Sequence, residues 1–539
     1  MAGMSPTDRT GMGQPLSAHV NRSLMAISRR AESVDRHTLA KTFVVAGSFS
    51  AMLHSADHQI LYGRRGTGKT HALLYLADLV EETHDVAVYL DLRTIGSTSG
   101  LYANQQLPVP LRGTQLLVDT LEAVHEQLLT TAIETRVSDQ EGLLQGLDEL
   151  TEAATTVEVV GNVERETTVG GSAEQSTSAG ASASWGPGGP RGQVTMSGSS
   201  RHSVTASDRL RRTGTEHHQV IFGPLSRALA RITAALAPAR LWLLLDEWSA
   251  IPLELQPLLA DLLRRSVLPT HGTTVKIAAI ERRSRFREPG CAGDYVGIEA
   301  GADAASAVSF DDVLLFDHGR TQSRQFFAEL FLNHVRPRMP VTDDAAEFVA
   351  TAFSRTAFPE LVRAAEGVPR DAINIAALAA QHANTATIGI RHVRQAAQDW
   401  YLRDKYAAIA GNEPALTTLR WLVDEVVGRR RSRTFLLDHA SGAHDETMRD
   451  LYDARLVHLV RRGIVNRKRP GTLYDGFAID YGCYVALLSD SEQPSRRSKS
   501  DAWLTDSRGA APDSGHLEQL LVELPGTARS VPRQRKPRE

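Results

Sequence analysis

One stretch limits what this chain can fold into more than any other: LYGRRGTGKTHALL, residues 61–74. It sets Gly63, Gly66 and Gly68 between a short apolar run, HQILY (58–62), and a run with apolar residues at helical spacing, THALLYLADLVEETHD (70–85). Glycine is a poor former of both helix and strand. A cluster of glycines at such a handover therefore marks a loop whose backbone takes conformations closed to other residues. A second buried-strand run, VAVYLDL (86–92), follows. Strand, loop, helix and strand in that order read as a parallel α/β unit, because parallel strands need a crossover between them.

The spacing inside the loop is Gly63-x4-Gly68-Lys69-Thr70. Each residue type has a physical use toward a phosphate. Glycines let backbone N–H groups approach phosphate oxygens closely, and a helix starting near Gly68 aims its free N–H groups and positive dipole end at the same anion. The reading assigns nucleotide contact to Gly63, Arg64, Arg65, Gly66, Thr67, Gly68, Lys69 and Thr70, with ATP and Mg2+ as ligands. Lys69 is placed to bridge the β- and γ-phosphates, and the Thr70 hydroxyl to ligate Mg2+. Arg64 and Arg65 stand at variable positions and read either as solvated or as packed on the base.

Such a fold needs a carboxylate for the magnesium shell at the C-terminal end of a neighbouring strand. LWLLLDEW (241–248) supplies Asp246 there, and Glu247 is placed to polarise an attacking water. The competing use of this pair is to cap the next helix. TVKIAAI (274–280) and DVLLFD (312–317) bring the count to five short apolar strands, alternating with helices as in a sheet covered on both faces.

At 539 residues the chain is too long for one hydrophobic core, so two or three domains are expected. A net charge of -3 excludes a generally basic coat but not local basic patches. No apolar run approaches the roughly 20 residues that span a bilayer, and no signal pattern opens the chain; cytoplasm without membrane contact is the expectation. Cys291 and Cys483, the two cysteines, read as reduced thiols. Residues 1–35 read as a flexible arm, 36–319 as the nucleotide-binding core, 320–408 as a helical block, 409–489 as a further small domain and 490–539 as a disordered tail. Within the core, about 156–216 is rich in Gly, Ser and Thr. It reads either as disordered or as an inserted β-hairpin turning at Gly161-Asn162.

The phosphate loop, the strand VYLDLR, the strand LLLDEW, the turn KIAAIERRSRF and the strand DVLLFD together resemble the core of AAA+ ATPases. That resemblance implies an α/β P-loop NTPase with a five-stranded parallel sheet and an α-helical lid. The lid block carries GVPRDAINI (367–375), similar to the family motif whose arginine reaches the γ-phosphate, a role that passes to Arg370. A polar sensor residue is implied at the end of the fourth strand, where this chain has Glu281, Arg282 and Arg283. Arg283, Arg285 and Arg287 are candidates for an arginine acting on a neighbouring subunit, so a homo-oligomer or a partner ATPase is implied. Glu247, Lys69 and Arg370 are the expected catalytic set.

After the lid, ALTTLRWLVDEVV and DETMRDLYDARLVHLVRRG read as helices, and the pieces flanking Pro470-Gly471 as strands: the order of a winged helix. Arg461 and Arg462 would end the second helix, with Arg467, Lys468 and Arg469 at the wing turn, all candidate contacts to double-stranded DNA. Core, lid and winged helix together resemble AAA+ ATPases of the origin-recognition and replication-initiator type. The Ala- and Arg-rich composition points to a bacterial source. Two other readings stay open: a signalling or defence ATPase whose ATP state controls oligomerisation and protein partners, and an ATP-binding module with negligible turnover.

Overall fold

The computed structural model describes residues 15–44, 49–95, 106–134, 137, 139–154, 157–168, 182–183, 207–218, 220–290, 293–303, 306–311, 320–339, 343–439, 445–465, 471–488 and 520–524. The chain forms two compact units. One comprises His54–Tyr62 and Leu73–Val308, the other Met1–Leu53, Gly63–Ala72 and Ser309–Glu539.

The first unit holds strands β1 (Gln59–Tyr62), β2 (Val86–Asp91), β3 (Val157–Thr168), β4 (Ser182–Ala183), β5 (Ser207–His218), β6 (Leu241–Asp246), β7 (Thr273–Ala279), β8 (Arg287–Pro289), β9 (Tyr295–Gly297) and β10 (Ser306–Ser309). Five of them make one sheet in the order β10-β1-β7-β6-β2. The pairs β1/β7, β7/β6 and β6/β2 are parallel. Tyr62 pairs with Ala279, and Leu245 with Ile277, so β1 and β6 end at the same edge of the sheet.

The central strands β6 and β7 are buried along their whole length, which is why they read as unbroken apolar runs. Helices Val109–Glu134, Gln140–Ala154 and Phe222–Leu236 set Leu121, Leu147 and Ile232 into one core with Val88, Leu243 and Ile277 of the sheet. At the opposite edge, buried Lys276 donates to the carbonyls of Ser55 and Asp57 and to Gln59 Oε1, at 2.7, 3.0 and 2.6 Å. Burial pushes its ammonium down to about 7.

Two expectations in this unit are corrected. The fifth strand is Ser306–Ser309 rather than DVLLFD; residues 312–317 lie outside the described residues. An edge strand buries only part of its surface, here Val308, so SAVS lacks the apolar signature of the inner strands. The hairpin at Gly161-Asn162 does not form. Residues 157–168 run as one strand paired antiparallel with 207–218, and Gly161 stands opposite Gly214. Gly-Asn inside a long alternating run is compatible with a straight strand, and the partner lies too far along the chain for a local turn signal to show it.

In the second unit the helices of the expected lid, Arg320–Val335, Ala345–Ala352, Ala357–Ala364, Pro369–Ala383 and Ile390–Trp400, share one core with the C-terminal sheet. Phe331, Leu361 and Ile375 belong to the same cluster as Phe435, Phe477 and Ile479. The boundary expected at 408/409 therefore does not separate two cores. The sheet consists of β11 (Thr434–Asp438), β12 (Val457–Val465) and β13 (Leu473–Ile479), antiparallel in the order β11-β13-β12.

Three more readings are corrected here. Helix Glu446–Asp453 stops well short of residue 463: Arg455 adopts φ 61°, and the chain reverses into β12, so Arg461 and Arg462 stand on a strand. Residues 16–25 are a helix, not part of a loose arm. It buries Val20 and Leu24, and Asn21 Nδ2 donates to the carbonyls of Asn384 and Ala386 at 2.8 and 2.9 Å. Finally, part of the expected tail is docked. Leu521 bridges Leu436 in parallel, Val522 N donates to Leu436 O at 3.0 Å, and Leu520, Val522 and Leu524 are buried. Cys483 is a free, half-buried thiol, and Cys291 lies outside the described residues. No helix among the described residues is long and apolar enough to cross a membrane.

Because Leu24 is fully buried and Met25 is 38% exposed, the two test whether the N-terminal helix is part of the core. Leu24→Ala should destabilise the chain by about 2–5 kcal/mol, and Met25→Ala should leave thermal unfolding near the parent. Equal, small effects would show that the helix is not part of the cooperative core.

Candidate functional site

The phosphate loop leaves β1 at Gly63 and enters helix Lys69–Glu82. Gly66 and Gly68 have φ of 83° and 95°, the left-handed region where a side chain is strained. Gly66 is required twice over, because a Cβ there would lie 2.7 Å from Arg370 Cβ. The contact is reinforced by the Arg370 N–H, which donates to Gly66 O at 3.2 Å. That N–H is free to do so because Arg370 follows Pro369 in the first turn of its helix, where amides lack an intrahelical acceptor. The structure thus brings the backbone of Arg370 to the loop.

Lys69 Nζ donates to the carbonyls of Gly63 and Arg64 at 2.7 and 3.0 Å, which holds the ammonium over the loop. Thr67 is buried, with its hydroxyl on Arg64 O at 2.9 Å. Thr70 is half-buried in the first helical turn, and Arg65 is exposed. At Gly68 a Cβ would meet nothing within 4 Å, so the loop has an open side next to the first turn of the helix. Left-handed glycines, an ammonium over the backbone and a threonine hydroxyl in the helix's first turn fit a phosphate with its magnesium.

Arg64 departs from both sequence readings, since it is neither solvated nor facing a base. It is 2% exposed. Its Nε donates to Asp311 Oδ1 at 2.6 Å and its backbone N–H to Asp311 Oδ2 at 3.0 Å. Its Nη2 donates to Glu366 O at 3.0 Å, and its Nη1 to His458 Nδ1 on β12. Burial opposes the charge, and Asp311, Tyr452 and Glu366 together more than offset it, so the guanidinium is held firmly protonated.

His458, fully buried, donates from Nε2 to Asp480 Oδ2 at 2.9 Å; these two partners define its neutral tautomer. Asp480 also takes Lys405 Nζ at 2.5 Å, and Lys405 pairs with Asp371 at 2.9 Å. Asp371 takes Arg455 on its other oxygen at 2.5 Å. Burial raises the Asp480 carboxyl, but Lys405 and His458 reverse this and hold it well below the usual carboxylate range. None of this network was visible in the sequence, because its members lie up to 394 residues apart.

The carboxylate pair sits at the end of β6. Asp246 is 1% exposed. Its Oδ2 accepts from Tyr89 OH at 2.9 Å, and its Oδ1 from the Glu247 N–H at 2.8 Å. Glu247 has φ 54° and ψ 38°, a left-handed conformation that few side-chain-bearing residues adopt. Arg93 Nη1 lies 3.8 Å from Glu247 Oε1 and pairs with Asp91 at 2.6 Å. The capping use is not realised, since Glu247 makes no side-chain cap to the short turn after it. No motif in the sequence marks Tyr89 and Arg93, although both lie in VYLDLR (88–93).

Glu281, Arg282 and Arg283 form a single turn after β7. Arg285 pairs with Glu288 at 3.3 Å and Arg287 with Glu299 at 3.1 Å, so both arginines are engaged locally. Arg461 is half-buried and Arg462 exposed on β12, while Arg467, Lys468 and Arg469 lie outside the described residues.

No protein-family model matches the chain, and no curated protein matches it. Among solved structures it is similar to Drosophila ORC bound to DNA, with a TM-score of 0.32 and 10% identity over 91% of this chain and 95% of that one. It is also similar to the Aeropyrum pernix ORC1 protein in complex with DNA, with a TM-score of 0.31 and 12% identity over 88% and 96%.

The His458 ring, which faces Arg64, Asp480 and Lys405, has a testable consequence. Burial and the Arg64 charge push it from 6.5 down to about 4. Between those values the unfolded chain binds a proton that the folded chain refuses. Stability is therefore complete above about pH 6.5 and falls as pH drops toward about 4, by on the order of 3 kcal/mol for this group. In thermal unfolding across that range, His458→Gln should lose stability less steeply than the parent. Parallel curves would exclude His458 as a source of the acid sensitivity.

Proposed function

We propose that this chain is a Mg2+-dependent ATPase of the AAA+ kind, and that its C-terminal sheet works as a winged-helix-like module meeting nucleic acid. The observation that carries the nucleotide reading is the loop itself: left-handed Gly66 held by the Arg370 amide, with Lys69 and Thr70 opening the helix beyond it. Lys69 and the loop amides would bind the phosphates, and Thr70 and Asp246 would hold Mg2+. The metal supplies charge neutralisation at the phosphate oxygens. Glu247 would orient the attacking water and accept its proton, with Arg93 and the left-handed backbone fixing the carboxylate. Arg370, anchored on Gly66, would present its guanidinium to the terminal phosphate. The double-stranded DNA reading rests on Arg461 and Arg462 of β12 and on Arg467, Lys468 and Arg469 further along the sequence, and homo-oligomerisation remains part of the proposal through Arg283, Arg285 and Arg287.

Lys69 and Glu247 should separate binding from turnover. Lys69→Ala should weaken ATP binding, whereas Glu247→Gln should keep binding and slow hydrolysis roughly a hundredfold or more. Hydrolysis at the parent rate by Glu247→Gln would remove the water-orienting role.

Replacing Arg467, Lys468 and Arg469 together by alanine tests the nucleic-acid contact. If each neutralises a phosphate, the slope of log affinity against log salt should fall by roughly two to three, equally for all duplexes, with ATP binding intact. No duplex binding by the parent chain would favour the signalling ATPase, in which the module meets proteins.

A further inference from the structure

The buried charges described above close a ring. Arg64 leaves the phosphate loop and reaches His458; His458 reaches Asp480, Asp480 Lys405, and Lys405 Asp371. Asp371 is covalently next to Arg370, whose amide returns to the loop at Gly66 O. Arg64, His458, Asp480, Lys405 and Asp371 are at most 2% exposed. The ring thus ties both arms of one glycine loop to a strand of the C-terminal sheet.

We infer that Arg64 and His458 are positioning residues that lock the phosphate loop to strand β12, so that nucleotide binding at the loop and the stability of that strand are linked. The inference rests on the nucleotide reading of the loop and adds a regulator to it.

A loop with left-handed glycines gains little from its own backbone, and its shape must be imposed from outside. A buried guanidinium imposes shape well. Its planar fork must be saturated, and a missing partner leaves an uncompensated polar group in a dry interior. Here each of the three guanidinium nitrogens has an acceptor only while Asp311, Glu366 O and His458 Nδ1 are all in place. Any displacement of β12 withdraws His458 and loosens Arg64, and any change in the loop that moves Arg64 is felt at β12. Coupling of this kind is reciprocal by thermodynamic necessity. Arg461 and Arg462 stand on the same strand as His458, so a ligand gripping them would act on the loop through a single element.

The test compares the full-length parent with His458→Ala and His458→Gln. Glutamine can accept from Arg64 and donate to Asp480 as the neutral ring does; alanine can do neither. The probes are binding of a fluorescent ATP analogue with Mg2+, and amide exchange over residues 457–465 with and without ATP. His458→Ala should bind the analogue more weakly, on the order of tenfold, and His458→Gln should stay near the parent. In the parent, ATP should slow exchange in 457–465.

Unchanged affinity in a folded His458→Ala chain would overturn the inference, and so would exchange in the parent strand that ignores ATP. Should the alanine variant fail to fold, the parent exchange measurement decides alone. A parent that binds no analogue overturns the nucleotide reading and the linkage with it; a parent that binds while the strand ignores ATP overturns the linkage only.

Discussion

The guanidinium of Arg64 is the interaction on which much of the Gly63–Ala72 and Ser309–Glu539 part of the molecule depends. It stands in a loop that needs open backbone, yet it is 2% exposed and bound to groups from three other places in the chain. Buried ion pairs seldom add much net stability, because desolvation cancels most of the attraction. Their effect is on specificity: few arrangements satisfy every donor. Glu366 shows how far this reaches. Its carbonyl accepts from Arg64, its carboxylate takes Arg433 at 2.6 Å, and it adopts φ 47° beside Gly367 at 76°. The turn that starts the Arg370 helix is therefore shaped by the same contacts that shape the phosphate loop.

The carboxylates of β6 follow a different logic. Asp246 is held by one tyrosine hydroxyl and one backbone amide, both aimed at an acid at the end of a fully buried strand. Glu247 is held by its own backbone. A left-handed glutamate is strained by on the order of 1–3 kcal/mol, and such strain persists where the surroundings over-determine it, commonly at working sites. Here a fixed direction for the acid is the return for that cost.

Much of the architecture could be read in advance where a local pattern has one physical solution. The glycine loop and the apolar runs of β1, β2, β6 and β7 are of this kind. Legibility failed where a pattern has two. LVHLVRRG suits a helix as well as a strand, and the reversal at Arg455 uses no glycine. The helix at 16–25 buries Ala18, Val20 and Leu24 but leaves the apolar Leu16 and Met25 exposed, so its buried face is poorly advertised, and the asparagine that anchors it looks like any surface residue. The candidate functional residues divide in the same way. Lys69, Thr70, Asp246, Glu247 and Arg370 could be named from motifs, whereas Tyr89, Arg93, Asp311 and His458 act through contacts that only folding brings together.

The docked segment Leu520–Leu524 has a consequence of its own. Strand β11 is an outer strand of its sheet, and such strands offer unpaired amides and carbonyls to any passing chain. Residues 520–524 meet that edge at Leu436, where Leu521 bridges and Val522 N donates, with Arg430 Nη1 clamping Leu521 O at 2.8 Å and three apolar side chains buried. The segment works as a seal. Its removal would leave loop, carboxylates and cations untouched and would alter how molecules behave in a crowd, with strand edges free to zip together into precipitate.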